Sequence, residues 1–128
     1  MVIKLIIAGS RTITKLSVEG LIEFIYLHDI VNNDTWKDLE IVSGCAAGID
    51  TTAIDLTVFH EMKLSKFPAD WDNKGRGAGH IRNAEMGKYA DALLLIWDGQ
   101  SKGSASMKAI MEKLNKPVYE VIIKCQTI

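Results

Sequence analysis

The chain has 128 residues, of which 48% are hydrophobic and 24% are charged, and its formal net charge is −1. These proportions indicate one soluble globular domain and exclude a disordered chain. The longest strongly apolar run covers residues 92–97, whereas a transmembrane helix needs roughly 20 apolar residues, and no secretory signal opens the chain. We therefore expect a cytoplasmic protein without membrane contact. Because a near-neutral chain has no overall attraction to a polyanion, nucleic acid is not expected as a partner.

Five short runs rich in Val, Ile and Leu have the length of strands, and they cover residues 2–8, 39–43, 63–67, 92–97 and 118–123. Segments of helical periodicity separate these runs. Two helices are marked by apolar residues at helical spacing, namely Val18, Leu21, Ile22 and Ile25, and then Met107, Ile110, Met111 and Leu114. Two more are predicted from about residue 48 to 62 and from about 78 to 89.

The order βαβαβαβαβ favours a parallel sheet, because strands that alternate with helices are joined by long crossovers. Runs such as residues 93–96 are apolar throughout, which is typical of strands buried on both faces. The sequence therefore predicts an α/β fold, a three-layer sandwich with a five-stranded parallel sheet and helices on both faces, in a single domain spanning residues 1–128. The longest irregular segment is predicted at 68–77, and loops of that length are often functional.

Glycines concentrate in the turns that follow the predicted strands. Ligands of such sheets bind outside the carboxyl ends of the strands, where helices begin. Glycine lets backbone N–H groups approach an anion, and Arg11 and Arg82 could add bidentate contacts to phosphate. These turns therefore predict an anion site. Seven of the ten glycines lie in or beside them: Gly9, Gly44, Gly48, Gly75, Gly77, Gly99 and Gly103.

Several familiar motifs are absent or incomplete. Neither G-x-G-x-x-G nor G-x-x-x-x-G-K-[ST] follows a predicted strand, which argues against a standard NAD oxidoreductase or NTPase. Residues 99–103 match the G-x-S-x-G elbow of α/β hydrolases, but all three histidines precede Ser101, whereas the elbow needs a later one. Ser101 is therefore interpreted as a loop serine that offers its hydroxyl to a ligand.

Other polar and aromatic residues carry two interpretations each. Asp50, Asp70, Asp72 and Asp98 could converge to hold a ribose or Mg²⁺, the one candidate cofactor, or could each cap a helix or turn. Trp71 and Trp97 could stack on a base or pack in the core, and packing is favoured for a Trp that ends a buried strand. The cysteines, Cys45 and Cys125, lack the spacing of metal or redox motifs and are predicted to be reduced thiols.

Six blocks of residues, taken together in their order, resemble the SLOG superfamily, and more narrowly its small single-domain branch in phage and bacterial genomes. The blocks are Gly9-Ser10-Arg11, Ser43-Gly44-x-x-x-Gly48-Ile49-Asp50, Phe67-Pro68-Ala69-Asp70-Trp71, Gly79-x-x-Arg82-Asn83-x-x-Met86, Ala90-Asp91, and Trp97-Asp98-Gly99-x-Ser101-x-Gly103. The resemblance covers nearly the whole chain. It implies a Rossmann-like fold whose glycine-rich turns bind nucleotides or nucleotide-derived ligands.

The resemblance and the turn positions together give one set of candidate ligand-binding residues, and no residue in the set is assigned to a metal. The set comprises Gly9, Ser10, Arg11, Thr12, Ser43, Gly44, Gly48, Asp50, Asp70, Trp71, Gly79, Arg82, Asn83, Trp97, Asp98, Gly99, Ser101, Gly103 and Ser104.

Members of the superfamily differ in activity: some are phosphoribohydrolases, some bind single-stranded DNA in DNA processing, and some sense ADP-ribose-like signals. In the hydrolase motifs Arg82 matches the arginine and Gly103-Ser104 matches Gly-Thr, but the glutamate position is occupied by Met107. The first hypothesis is therefore binding of a nucleotide or ADP-ribose-type ligand. The alternatives are a glycosidic-bond hydrolase that uses Asp98 or Asp70, and a single-stranded DNA binder. Related proteins often form dimers, so a homodimer is expected.

Overall fold

A computed structural model describes residues 3–32 and 35–124 of the chain. Five strands form one parallel sheet with the order β3-β2-β1-β4-β5. The strands are β1 (Ile3–Gly9), β2 (Leu39–Ser43), β3 (Lys63–Lys66), β4 (Ala92–Trp97) and β5 (Val118–Ile122). The helices are α1 (Val18–Leu27), α2 (Ile49–Phe59), α3 (Trp71–Lys74), α4 (Ala78–Tyr89) and α5 (Lys102–Lys113). The predicted α/β fold with a five-stranded parallel sheet is confirmed.

The sheet separates two hydrophobic cores. Leu5 and Ile7 of β1 face one core, which also contains the buried apolar residues of α1 and α2. Ile6 and Ala8 face the opposite core, which takes Met86 of α4 and the buried methionines of α5. Both faces of β1 are therefore covered, which explains why its sequence shows no polar alternation.

The strand order reverses between β1 and β4. The chain passes from β1 outward through β2 to β3, then crosses back to β4 on the other side of β1 and ends at β5. In open parallel sheets the turns on either side of such a reversal diverge and leave a crevice at the carboxyl ends of the strands. In this chain the crevice lies between the turns that follow Gly9 and Trp97.

The predicted boundaries differ from the structure at a few places. Helix α2 is shorter than the predicted 48–62, and β3 and β5 each end one residue early. Residues 68–77, predicted to be irregular, contain α3 and a 3₁₀ turn at Gly75–Gly77. Helix α3 begins after Asp70, whose carboxylate accepts hydrogen bonds from the Asn73 backbone N–H at 3.3 Å and from its side-chain amide at 3.0 Å. This aspartate is a helix cap.

Predictions about membrane helices and cysteines can also be compared with the structure. No helix within the described ranges is long and apolar enough to cross a membrane. Cys45 is a free thiol, as predicted, and it is exposed. Val2, where the first predicted strand begins, and Cys125, the second predicted thiol, lie outside the described residues.

Lys116 closes the C-terminal end of α4. Its Nζ donates to the carbonyl oxygens of Gly87 and Ala90 at 2.7 Å each and of Lys88 at 3.2 Å. These carbonyls lack partners inside the helix and carry the negative end of its dipole. We expect Lys116→Met to lower the free energy of unfolding by about 1 to 2 kcal/mol, measured by urea denaturation. Lys113→Met removes an exposed lysine in the last turn of α5 as the matched control, and an equal effect of both variants would contradict the capping role.

Candidate functional site

A cleft of about 320 Å³ occupies the crevice at the reversal of strand order, and we refer to it as the main cleft. It is bounded by the turn after β1, the start of α2, the inner face of α4, and the turn between β4 and α5. Many of the predicted ligand-binding residues line it, namely Gly9, Arg11, Thr12, Asp50, Arg82, Asn83, Asp98, Ser101, Gly103 and Ser104. The structure therefore brings together residues from all the turns next to the reversal.

A smaller cleft of about 150 Å³, the side cleft, adjoins the main one. Arg11, Ala46 and Arg82 line both clefts, so the two are neighbouring compartments of one concave surface. The remaining lining of the side cleft comes from the turns after β2 and β3, namely Gly44, Cys45, Pro68, Ala69 and Trp71.

Arg82 is the central cation of the site and is held firmly. Its Nη1 donates to the carbonyl oxygens of Gly44, in a short bond, and of Phe67 at 3.3 Å, and its Nε donates to Asn83 Oδ1 at 2.9 Å. Burial lowers the pKa of its guanidinium, and attraction to Asp50 opposes that change. None of the residues that the structure describes accepts a hydrogen bond from Nη2. That half of the guanidinium fork is available to a ligand.

Gly44 allows Arg82 to lie against the turn after β2. A Cβ at this position would stand 2.5 Å from Arg82 Nη1 and 3.0 Å from Asp50 Oδ2. Real Cβ atoms do not approach another atom as closely as 2.5 Å, so any larger residue would push the guanidinium of Arg82 away, and it would also crowd the Asp50 carboxylate. Glycine at position 44 therefore allows the side chains of Arg82 and Asp50 to lie close to the backbone of this turn.

Asp50 is the buried acid of the main cleft, and only 5% of its surface is exposed. Burial raises its pKa from 3.8 to about 6, although the Ala46 backbone N–H, which donates to Oδ2 at 3.3 Å, and the charge of Arg82 both favour the ionised form. Near neutral pH the cleft therefore contains an acid that a modest fall in pH converts to its neutral form.

A closed ring of hydrogen bonds joins the turns after β1 and β4. The Asp98 backbone N–H donates to Ser10 Oγ at 3.0 Å, and Ser101 Oγ donates to Asp98 Oδ1 at 2.8 Å. Because Ser101 has one hydroxyl proton and gives it to the carboxylate, Ser10 must donate in the 2.6 Å bond between the two hydroxyls. Ser10 is thereby a buried link between the turns.

Asp98 accepts two further hydrogen bonds, from the backbone N–H groups of Gln100 at 2.8 Å and Ser101 at 2.9 Å. These bonds lower its pKa to about 2, so it is ionised at every physiological pH. The lining of the main cleft accordingly carries three cations, Arg11, Arg82 and Lys102, and two carboxylates.

The remaining predicted ligand-binding residues lie outside both cleft linings. Ser43 is buried, donates to the Asp50 carbonyl oxygen at 3.3 Å and accepts from the Cys45 N–H at 3.2 Å. Trp97 is 7% exposed and donates from Nε1 to Glu120 Oε2 at 2.7 Å, so it packs in the core. The others are Ser10 and Asp70, whose bonds are described above, and Gly48, Gly79 and Gly99.

The four aspartates predicted as candidate Mg²⁺ ligands do not converge. Asp50 and Asp98 line the main cleft, whereas Asp70 caps α3 and Asp72 is exposed on that helix. Within the described ranges, no group of three His, Cys, Asp or Glu side chains is arranged to hold a metal ion.

Some cleft residues were not among the predicted ligand contacts. Lys102 begins α5, directly after the glycine-rich turn, and its position there was a signal that it faces the site. Met86 and Met107 belong to apolar helix faces, and sequence periodicity places such residues in the core without showing that they also form the floor of a cleft. The full set is Ala8, Ala46, Met86, Lys102 and Met107 in the main cleft, and Cys45, Pro68 and Ala69 in the side cleft.

No family model matches the sequence, and no curated protein matches it either. Among solved structures, the chain is similar to DNA processing protein A from Helicobacter pylori, with a TM-score of 0.61 and 20% identity. The match covers 97% of this chain and 67% of the other. At this identity the similarity shows a shared fold. The matched protein has a single-stranded DNA binding mode, so the prediction that nucleic acid is not a partner is wrong on this comparison. That prediction used the net charge of the whole chain, whereas binding depends on local charge.

Proposed function

We propose that the chain binds single-stranded DNA and holds one phosphate of the strand in the main cleft. The observation that carries the proposal is the anchored guanidinium of Arg82, whose free Nη2 lies at a cleft that Arg11 and Lys102 also line. A planar donor fixed in advance loses little conformational entropy when a phosphate arrives. The similarity of fold to a single-stranded DNA-binding protein supports the same conclusion, and together with the six sequence blocks it supports membership of the SLOG superfamily.

The size and charge of the main cleft fit one nucleotide unit. A volume of about 320 Å³ lies at the lower end of the roughly 300 to 1,000 Å³ of known ligand pockets. The lining carries three positive side chains and two carboxylates, so its net charge is positive, and this positive charge increases when Asp50 takes up a proton. The attraction to phosphate is therefore local, and it does not require a basic chain.

A free nucleotide or ADP-ribose-type molecule is the second candidate ligand. It is favoured by the apolar floor of Met86 and Met107 and by Asp98 Oδ2, which accepts no hydrogen bond from the described part of the chain and could accept one from a sugar hydroxyl. Met107 occupies the position where the hydrolase motif has glutamate, so the cleft floor has a thioether there in place of a carboxylate. Binding is therefore favoured over glycosidic hydrolysis. The expected homodimer stays a prediction.

Fluorescence anisotropy with a labelled single-stranded oligonucleotide tests the proposal. We expect affinity to fall as salt rises, and we expect Arg11→Ala and Lys102→Ala each to weaken binding severalfold and to reduce the salt slope by about 1. Both side chains are exposed, so the fold should be unaffected. Lys113→Ala, at the opposite end of α5, is the matched control.

The same assay separates the two candidate ligands. An inhibition constant of AMP or ADP-ribose well below the Kd of the oligonucleotide would favour the small ligand. Absence of oligonucleotide binding at low salt would refute the DNA proposal.

A further inference from the structure

Two of the three tryptophans have structural roles that account for them. Trp36 stacks on Tyr26, with ring centroids 5.6 Å apart and planes 12° from parallel, and meets His60 edge-on at 6.0 Å. Trp97 is buried and donates its indole N–H to Glu120. Each ring is thus fixed by contacts within the protein.

Trp71 has no such role. Half of its surface, 50%, is exposed to solvent. Among the described residues, no aromatic ring stacks on it and no acceptor takes its indole N–H. Exposing this much of a large apolar ring is unfavourable in water. The ring is therefore available to an apolar ligand surface.

The position of Trp71 links it to the phosphate site. It lines the side cleft, which shares Arg11 and Arg82 with the main cleft. A Cβ placed on Gly79 would stand 3.4 Å from Trp71 Cη2 and 4.0 Å from Arg82 Nη2. The edge of the indole ring and the free end of the guanidinium therefore both lie within 4.0 Å of the same point, so one nucleotide can contact both.

We propose that the side cleft is a nucleobase subsite, in which Trp71 stacks on the base of a nucleotide whose phosphate Arg82 holds. The inference rests on the proposed function and adds the means by which the site recognises the base. Stacking is tolerant of sequence because every base has a π face. Next to Trp71 the cleft is lined by Pro68 and Ala69, which offer no side-chain hydrogen bonds to base edges. The subsite should therefore show little base preference.

The test uses Trp71→Ala and Trp71→Phe with short single-stranded oligonucleotides. We expect Trp71→Ala to weaken binding about tenfold and Trp71→Phe to keep most of the affinity. Phe59→Ala, which removes an aromatic ring that is 74% exposed at the far end of α2, should bind like the wild type. Urea denaturation of each variant shows whether it is folded.

Oligonucleotides with one abasic site, scanned along the strand, show whether a base is the partner of Trp71. When one particular base is removed, the wild type should bind the oligonucleotide about tenfold more weakly. Trp71→Ala should bind the intact and the abasic oligonucleotide almost equally, because the ring that would stack on this base is already absent. If the wild type binds and Arg82 contributes, but neither Trp71→Ala nor any abasic site changes affinity, the subsite is refuted while the proposed function stands. If the wild type binds no oligonucleotide, both proposals fail.

Discussion

Replacing Arg82 with Ala is expected to weaken oligonucleotide binding roughly tenfold to a hundredfold and to lower the free energy of unfolding by about 2 kcal/mol. The binding loss follows from the free Nη2, since a charge-assisted hydrogen bond to phosphate is stronger than a neutral one. The stability loss follows from the anchoring bonds, because the carbonyls of Gly44 and Phe67 would lose their donor. Anisotropy and urea denaturation measure the two effects separately.

Arg82→Lys distinguishes the two roles of this residue. Lysine keeps the charge but loses the planar fork, so it cannot donate to the Gly44 carbonyl and to a phosphate in the same geometry. We expect binding between those of the wild type and Arg82→Ala. Arg11→Ala, which removes an exposed arginine of the same clefts, should reduce affinity and leave stability unchanged. Wild-type affinity in a folded Arg82→Ala variant would remove Arg82 from the ligand site.

Asp50→Asn is expected to make the protein more stable at neutral pH by up to about 3 kcal/mol. The pKa of Asp50 rises from 3.8 to about 6 on folding, mainly because of burial. Between these two values the folded chain retains a proton that the unfolded chain has released, so stability falls as pH rises through this window. Above pH 6 the full cost of the buried charge is present. The amide has no charge to bury, and its oxygen can still accept from Ala46.

Urea denaturation of wild type and Asp50→Asn between pH 4 and pH 8 measures this effect. The two curves should converge near pH 4 and separate as pH rises, with the variant above the wild type. A difference that does not change with pH would show that the carboxyl group is not the cause.

Oligonucleotide binding should depend on the same proton. The neutral form of Asp50 no longer opposes the phosphate, so wild-type affinity should rise about fivefold when pH falls from 7.5 to 5, which corresponds to about 1 kcal/mol. Asp98 stays ionised over that range because its pKa is about 2. Asp50→Asn should bind more tightly than the wild type at pH 7.5, and any pH dependence that remains in this variant belongs to other groups.

Local patterns in the sequence were enough for the architecture. Short runs rich in apolar residues located the five strands, although β3 is apolar only at Leu64, and the spacing of residues such as Val18 and Leu21 located the longer helices but not α3. The burial of a long element is visible in its own periodicity. The concentration of glycines after strands also located the cleft, since strand ends in a parallel sheet meet at one edge. The positions of strands, helices and turns depend on residues that are close together in the sequence.

Only the tertiary structure decided which turn residues face the cleft. Ser10 and Arg11 are adjacent, yet one is a buried link between turns and the other is exposed at the site. Trp71 follows one predicted strand and Trp97 ends another, but only Trp71 lines a cleft, the side cleft. The net charge of −1 gave the wrong expectation about nucleic acid. The physical reason is common to all three: side-chain direction, burial and local potential arise from atoms distant in sequence, and no window of neighbouring residues contains them.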